Sequence, residues 1–104
     1  GDAVIDMSGF PKRLPEGKQG RVLGSIALAM CEVAAGGLDA HIDAGPYSAP
    51  WDYLGAYLAC IEAGATVVDT TGRELVTDDF DARRQIVAAA TPALAGSLVR
   101  TVRA

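Results

Sequence analysis

Histidine and cysteine are scarce in this chain. One histidine, two cysteines and no Cys-x-x-Cys pair stand in 104 residues, which argues against a structural zinc site. Cys31 and Cys60 both sit inside apolar helical runs. They read as small, reduced core residues rather than a disulfide or a redox pair. No apolar stretch free of polar or turn residues is long enough to span a bilayer. No signal-peptide pattern is visible before the strand-like run that begins at Ala3, so none is expected. These absences point to a cytoplasmic chain with no membrane partner. Positive charge is short as well: nine Lys and Arg against thirteen Asp and Glu leave a net charge of −4. That balance argues against nucleic acid as a partner. There is no internal repeat and no low-complexity segment.

What the chain has is apolar character. Half of its residues are hydrophobic and the mean hydropathy is +0.22. Its length is that of one domain, residues 1–104. Such a domain buries about two thirds of its unfolded surface. So apolar a sequence on so modest a core should leave apolar surface uncovered, which marks a contact site. A homo-oligomer, a dimer in the simplest case, is therefore expected.

Strand and helix patterns alternate along the chain. Ala3 to Met7 reads as a short strand ending at Ser8-Gly9. Phe10 to Arg21 holds Pro11, Pro15, Gly17 and Gly20 and reads as a loop. It also carries Lys12, Arg13, Lys18 and Arg21, either a solvated basic loop or one that attracts an anionic ester. Leu23 to Ala35 is rich in Ala, Leu and Met and reads as a helix, apolar nearly all round. A helix of that kind needs cover on more than one side, from a partner chain or from further sequence. Gly36-Gly37 stops it. Leu38 to Asp43 alternates, with Leu38, Ala40 and Ile42 against Asp39, His41 and Asp43, as a strand does. This alternation puts His41 on the polar face, as a surface histidine rather than a catalytic base. Glu74 to Arg84, with Asp78, Asp79 and Asp81, reads as a solvated acidic surface and fits no calcium-loop spacing. Ile86 to Ala90 is a last strand, and Thr91-Pro92 caps and starts a last helix with Leu94, Leu98, Val99 and Val102 on its apolar face.

The segment from Pro50 to Asp69 organises the rest. Pro50 suits a first helical position. Trp51, Leu54, Leu58 and Ile61 recur at helical spacing, which predicts that this stripe is buried and that Trp51 anchors it. Gly64 suits a left-handed stop. Thr66-Val67-Val68 then reads as a β-branched strand. Asp52 is a first-turn carboxylate beside Trp51 and Leu54. On its residue type alone it serves the helix dipole or a free N–H.

Two motifs in this chain resemble a known family. Trp51-Asp52, Glu62-Ala63-Gly64 and Asp69-Thr70-Thr71-Gly72 look like the second signature of the inositol monophosphatase family. Gly24-Ser25-Ile26-Ala27-Leu28 and Val33-Ala34-Ala35-Gly36-Gly37-Leu38-Asp39-Ala40 are similar to that family's Gly-Ser-x-Ala-Leu and Val-Ala-x-Gly-x-Leu-Asp run. The order and approximate spacing are the family's. The resemblance runs from about Val4 to Val102 and covers only the C-terminal part of such an enzyme.

The resemblance implies an α/β fold with a mixed, largely parallel sheet and packed helices. This would be the C-terminal half of an α-β-α-β-α layered, lithium-sensitive phosphatase. It implies a Mg2+-dependent phosphate monoesterase acting on a phosphorylated small molecule. Asp52 would be a carboxylate ligand of one Mg2+. Gly24 and Ser25 would line the substrate pocket, and Asp43 stands nearest to the acidic residue that touches substrate hydroxyls. The family's other metal carboxylates lie in a Glu and an Asp-Pro-x-Asp-Gly-Thr motif, which this sequence lacks. The expectation is a half-enzyme, inactive alone, that awaits a missing N-terminal half or a partner chain. The alternative is a binding or scaffold domain that kept the fold without the chemistry.

Overall fold

The computed structural model describes residues 3–8, 19–21 and 24–103. Among these, the chain runs through β1 (Val4–Ser8), β2 (Gln19–Arg21), α1 (Ile26–Ala35), β3 (Ala40–Asp43), α2 (Pro50–Glu62), β4 (Thr66–Asp69), β5 (Ile86–Ala89) and α3 (Pro92–Arg103). The strands form one mixed sheet in the order β2-β1-β3-β5-β4. β1 pairs in parallel with β2 and with β3. β5 runs antiparallel to both β3 and β4. The expected α/β class and mixed sheet are therefore present, with the parallel pairings confined to the β2-β1-β3 side. The other side follows from its connection: Thr70 to Gln85 carries no helix, so β5 can return antiparallel to β4.

The sheet is covered on both faces. On one, α1 and α2 pack together and bury Met30, Tyr53, Ala56 and Cys60 against Val67, Ile86 and Ala88. On the other, Ala95 and Leu98 of α3 pack on Ile5, Ala40, Ile42, Val87 and Ala89. β3 and β5 are buried along their whole length. Burial of both faces overturns the reading of His41 as a surface residue. Its side of the alternating strand faces the interior under α1 and α2, and His41 is 0% exposed. Alternation marks a solvated face only where one side of the sheet is bare.

The helices begin and end as their capping residues predict. Ser25 caps α1, its Oγ accepting from Leu28 N–H at 3.2 Å. The helix starts at Ile26, three residues after the predicted Leu23, which lies outside the described residues. Gly64 follows the last turn of α2 at φ +83°, a conformation that strains any residue with a Cβ. Thr91 Oγ1 accepts from Leu94 N–H at 3.2 Å and opens α3. The predicted apolar face of α3 packs as expected: Leu98 is fully buried, and Leu94, Val99 and Val102 are partly buried against the core.

The predicted buried stripe of α2 is a second correction. Pro50, Tyr53, Ala56 and Cys60 face inward and Leu54 of the predicted stripe is partly buried against them, while Trp51, Leu58 and Ile61 are exposed. Both sets recur at helical spacing. The small side chains of Ala56 and Cys60 form the side that lies against α1, so the bulkier set faces out. Trp51 is 61% exposed. It lies 6.2 Å from the Phe80 ring, with the Arg83 guanidinium 5.0 Å from its centroid. Trp51→Ala is therefore expected to cost only about 0.5–1 kcal/mol, the size of an exposed cation–π contact. Urea melts of the two proteins measure it, and a loss above 3 kcal/mol would restore Trp51 as a core anchor.

Three further expectations change. Cys31 is exposed rather than buried, while Cys60 is buried and its thiol donates to Met30 O at 3.2 Å. The loop predicted over Phe10–Arg21 ends in β2, an edge strand; its Lys12, Arg13 and Lys18 lie outside the described residues. The acidic stretch from Glu74 to Arg84 exposes Asp78, Asp79 and Asp81 as expected, yet it buries Leu75 and Ala82. No helix among the described residues is long and apolar enough to cross a membrane.

Candidate functional site

The topology brings the four predicted site residues to one end of the sheet. β1 and β3 run in parallel and finish at Ser8 and Asp43. α1 starts beyond the end of β2, and α2 starts beyond the end of β3. Gly24 and Ser25 at the head of α1, Asp43 at the tip of β3 and Asp52 in the first turn of α2 thus share the end where parallel strands stop. In open α/β sheets that end is where ligands bind.

Their surroundings differ. Gly24 is exposed and left-handed, at φ +79°. Ser25 is exposed, with its hydroxyl oxygen engaged as the α1 cap. Asp52 is half-buried, and its Oδ2 accepts the Ala49 N–H at 3.0 Å. It is therefore a first-turn carboxylate that satisfies a backbone donor at the α2 N-terminus, as its residue type alone suggests. Asp43 is 2% exposed. Its Oδ1 accepts from Ser8 Oγ at 2.9 Å and lies 2.8 Å from His41 Nε2. Its Oδ2 accepts from Ser48 Oγ at 2.6 Å and from Ile86 N–H at 3.0 Å. This carboxylate is spent on the protein's own interior. Among the described residues, no hydrogen bond joins Asp52 to Asp43 or to Ser25.

Two polar clusters escaped the sequence reading. The first is centred on His41. Its Nδ1 lies 2.7 Å from Asp6 Oδ2, opposite the contact to Asp43. Burial opposes a charge on this ring most strongly, but the hydrogen bonds to Asp43 and Asp6 and their negative charge outweigh it. The net effect raises the His41 pKa above its ordinary value. The Asp43 pKa moves down: burial opposes its charge most strongly, and His41, Ser48 and the Ile86 N–H more than compensate. One sequence signal was available. A His-x-Asp pair on a strand flanked by two helix-bearing crossovers belongs to a strand covered on both sides.

The second cluster closes the turn after β4. Asp69 Oδ2 accepts from Thr71 N–H, Thr71 Oγ1, Arg73 N–H and Arg73 Nε, and Oδ1 from Arg73 Nη2 and Gln85 N–H, all between 2.7 and 3.2 Å. Burial works against the Asp69 charge, yet Arg73, Thr71 and the backbone donors hold its pKa well below the usual carboxylate range. The contribution of this depressed carboxyl to stability is present above the unfolded value of about 3.9 and is lost as pH falls through the folded one. Asp69→Asn is expected to flatten the acid limb of a stability–pH curve. An unchanged limb would remove Asp69 from the acid sensitivity of the fold.

The donor set decides what metal chemistry this chain can support. Asp52 offers the hard oxygen a divalent cation of the Mg2+ type prefers. Among the described residues there is no group of three or more His, Cys, Asp or Glu that could hold a metal ion. Among the described residues, Asp52 thus fits as the donor of one carboxylate and not as a whole site. A groove of about 280 Å³ at the head of α2 is walled by Pro50, Trp51, Leu54 and Phe80, and its charged lining residues are Asp78 and Asp79. Apolar and acidic walls do not suit a phosphate.

Comparison with known proteins agrees with this architecture. The model of the inositol monophosphatase family matches residues 4–104. Inositol monophosphatase 1 of Rattus norvegicus is 40% identical over 81 residues, which cover 77% of this chain and 27% of the rat protein. The fructose-1,6-bisphosphatase/inositol-1-monophosphatase of Methanocaldococcus jannaschii is 43% identical over 61 residues, 59% of this chain and 24% of that one. A solved Pyrococcus horikoshii protein, described as having similarities for inositol-1 monophosphatase, superposes with a TM-score of 0.82 at 29% identity, over 97% of this chain and 42% of its own. The chain thus spans about a quarter of the curated relatives and less than half of the solved one. With its sequence matched over nearly its whole length and its fold shared, the chain belongs to the inositol monophosphatase family.

Proposed function

We propose that this chain is the C-terminal domain of a Mg2+-dependent phosphate monoesterase, and that it contributes one metal carboxylate, Asp52, and part of the substrate pocket. The observation that carries the reading is the position of Asp52. It is a half-buried carboxylate in the first turn of α2, at the sheet end shared with Gly24 and Ser25, inside a family match over residues 4–104. When bound, Mg2+ supplies an activated water and stabilises the leaving oxygen of the ester. The chain's own part is to hold Asp52 in place through the Ala49 N–H and to present the exposed head of α1 to the substrate. The substrate class is a small phosphorylated molecule: an inositol phosphate, a sugar phosphate, fructose bisphosphate or a nucleotide-derived phosphate. The setting is the cytoplasm.

The rest of the active site comes from an N-terminal half or a partner chain. Leu28 of α1 and Leu58 and Ile61 of α2 are exposed apolar residues that such a partner, or a second copy in a homo-oligomer, would cover. Alone, the 104-residue chain is inactive in this reading. The test joins it to the N-terminal half of a family phosphatase, in one polypeptide or as a mixture, and measures phosphate release with Mg2+ from a panel of those esters. Restored release supports the reading. A correctly assembled protein without activity favours a domain that kept the fold and lost the chemistry. The internal use of the Asp43 carboxylate already speaks for that second reading.

A further inference from the structure

The parallel register of β1 and β3 sets Asp6 directly opposite His41. Both side chains, with that of Asp43, point to the face covered by α1 and α2. The ring therefore lies between two carboxylates, 2.7 Å from Asp6 and 2.8 Å from Asp43, with no exposure to solvent. A neutral imidazole donates from one nitrogen only, and its other nitrogen would aim a lone pair at a carboxylate oxygen. Two short contacts need a second proton. Asp43 is a poor place for it, because its oxygens already accept from Ser8, Ser48 and the Ile86 N–H. Ring protonation satisfies both contacts at once, and the raised His41 pKa accords with a proton held on the ring.

We propose that His41 is a buried imidazolium that acts as a positioning residue, latching through Asp43 the connection that delivers Asp52. Asp43 grips Ser48 Oγ, and the Ser48 backbone pairs in both directions with Arg84. The Asp43 carbonyl also accepts from Gln85 Nε2 at 3.0 Å. Residues 44–49 are thereby tied to the sheet end four residues before Asp52. Loss of the ring proton leaves the buried Asp43 carboxylate facing a neutral ring. That state gains by letting water in, and the bond it weakens is the one to the connection. This latch does not depend on which ester is hydrolysed, or on any metal.

β4 also brings Asp69 to this face, where Arg73 pairs with it, and the hydrophobic groups packed there are neutral. β5 brings Ile86 and Ala88, α1 brings Met30, and α2 brings Tyr53, Ala56 and Cys60. The Tyr53 hydroxyl donates to Leu75 O and the Cys60 thiol to Met30 O. Burial raises both their pKa values, so neither is charged where the ring titrates. From β1, Ser8 is neutral, and Asp6 has a further interaction besides the one with His41. Of the charged groups on this face, Asp43 and Asp6 are the ones that act on the ring.

His41 is the only histidine in the sequence, so its ring signals in 15N-edited NMR of the 104-residue chain are unambiguous. The expected result is two protonated ring nitrogens at pH 7 and a titration above the free value of about 6.5. Amide exchange at Ser48 and Ile86 should rise in step with that titration, measured against α3 amides that report the intrinsic pH effect. Asp6→Asn should shift the ring titration down by roughly 1 pH unit or more, and the exchange step should follow it. A histidine that merely fills space would leave the Ser48 exchange unlinked to its ring. A single-nitrogen tautomer at pH 7, a titration at the free-histidine value, or Ser48 and Ile86 exchange indifferent to the ring would each overturn the latch. The wild-type chain alone decides these points, so a poorly folding Asp6→Asn variant does not blunt the test.

Discussion

Asp52→Asn is expected to cut phosphate release by orders of magnitude in the assembled enzyme while leaving the fold nearly untouched. The two effects separate because the side chain has two kinds of partner. Toward its own helix, Asp52 accepts the Ala49 N–H at 3.0 Å and meets the positive end of the α2 dipole. An asparagine oxygen keeps the hydrogen bond and loses the charge, at a cost of a few tenths to about 1 kcal/mol. Toward a divalent cation the charge is the main asset, and a neutral amide replaces it poorly. From its apolar neighbours Trp51 and Leu54, the carboxylate alone reads as poorly solvated, so that Asp52→Asn would be neutral or stabilising. The half-exposed site and the satisfied backbone donor replace that with a small loss. Denaturant melts of the single chain and steady-state phosphate release of the assembled enzyme measure the two arms. A variant that keeps full activity once assembled would remove Asp52 from the metal site and leave the family relationship as one of fold.

Asp43→Ala has the largest expected effect on stability, about 3–5 kcal/mol, as for breaking a buried charge cluster by removing one partner. Alanine strands four groups at once. The His41 ring loses one of its two carboxylates, the buried Ser48 hydroxyl and Ile86 N–H lose an acceptor, and so does the partly buried Ser8 hydroxyl. The pH dependence adds a second signature. The lowered Asp43 pKa gives a contribution present above about 3.9 and lost as pH falls through the folded value. The raised His41 pKa gives one present below about 6.5 and lost as pH rises through its folded value. The cluster therefore stabilises the wild type most between these limits. The variant should lie below the wild type throughout that window and lose the slopes on either side of it, below about 3.9 and above about 6.5. Guanidinium melts at several pH values measure both features. A loss under 1 kcal/mol with an unchanged pH profile would mean that water or a rearranged side chain replaces the Asp43 carboxylate at no cost.

Much of the architecture follows from local sequence, because local chemistry dictates it. Pro50 and Thr91-Pro92 start helices, Gly36 and Gly64 end them, and Thr66 to Asp69 and Ile86 to Ala89 form strands where β-branched or apolar runs are bounded by turns. The ordered motifs around Gly24-Ser25 and Trp51-Asp52 identify the family, since each is a short stretch whose meaning lies in its own residues. Tertiary structure alone decides which side of an element is inside. Helical spacing in α2 allows two stripes, and packing against α1 buries Tyr53, Ala56 and Cys60 while turning Trp51 out. Alternation in β3 separates His41 from Ile42, yet α1 and α2 cover one face and α3 the other, so both residues are buried. The Asp6–His41 contact joins residues 35 positions apart and exists only through the parallel register of two strands. Periodicity divides an element into faces. Solvent is assigned to a face only when the rest of the chain has packed, and that assignment turns a polar strand position into a buried ion.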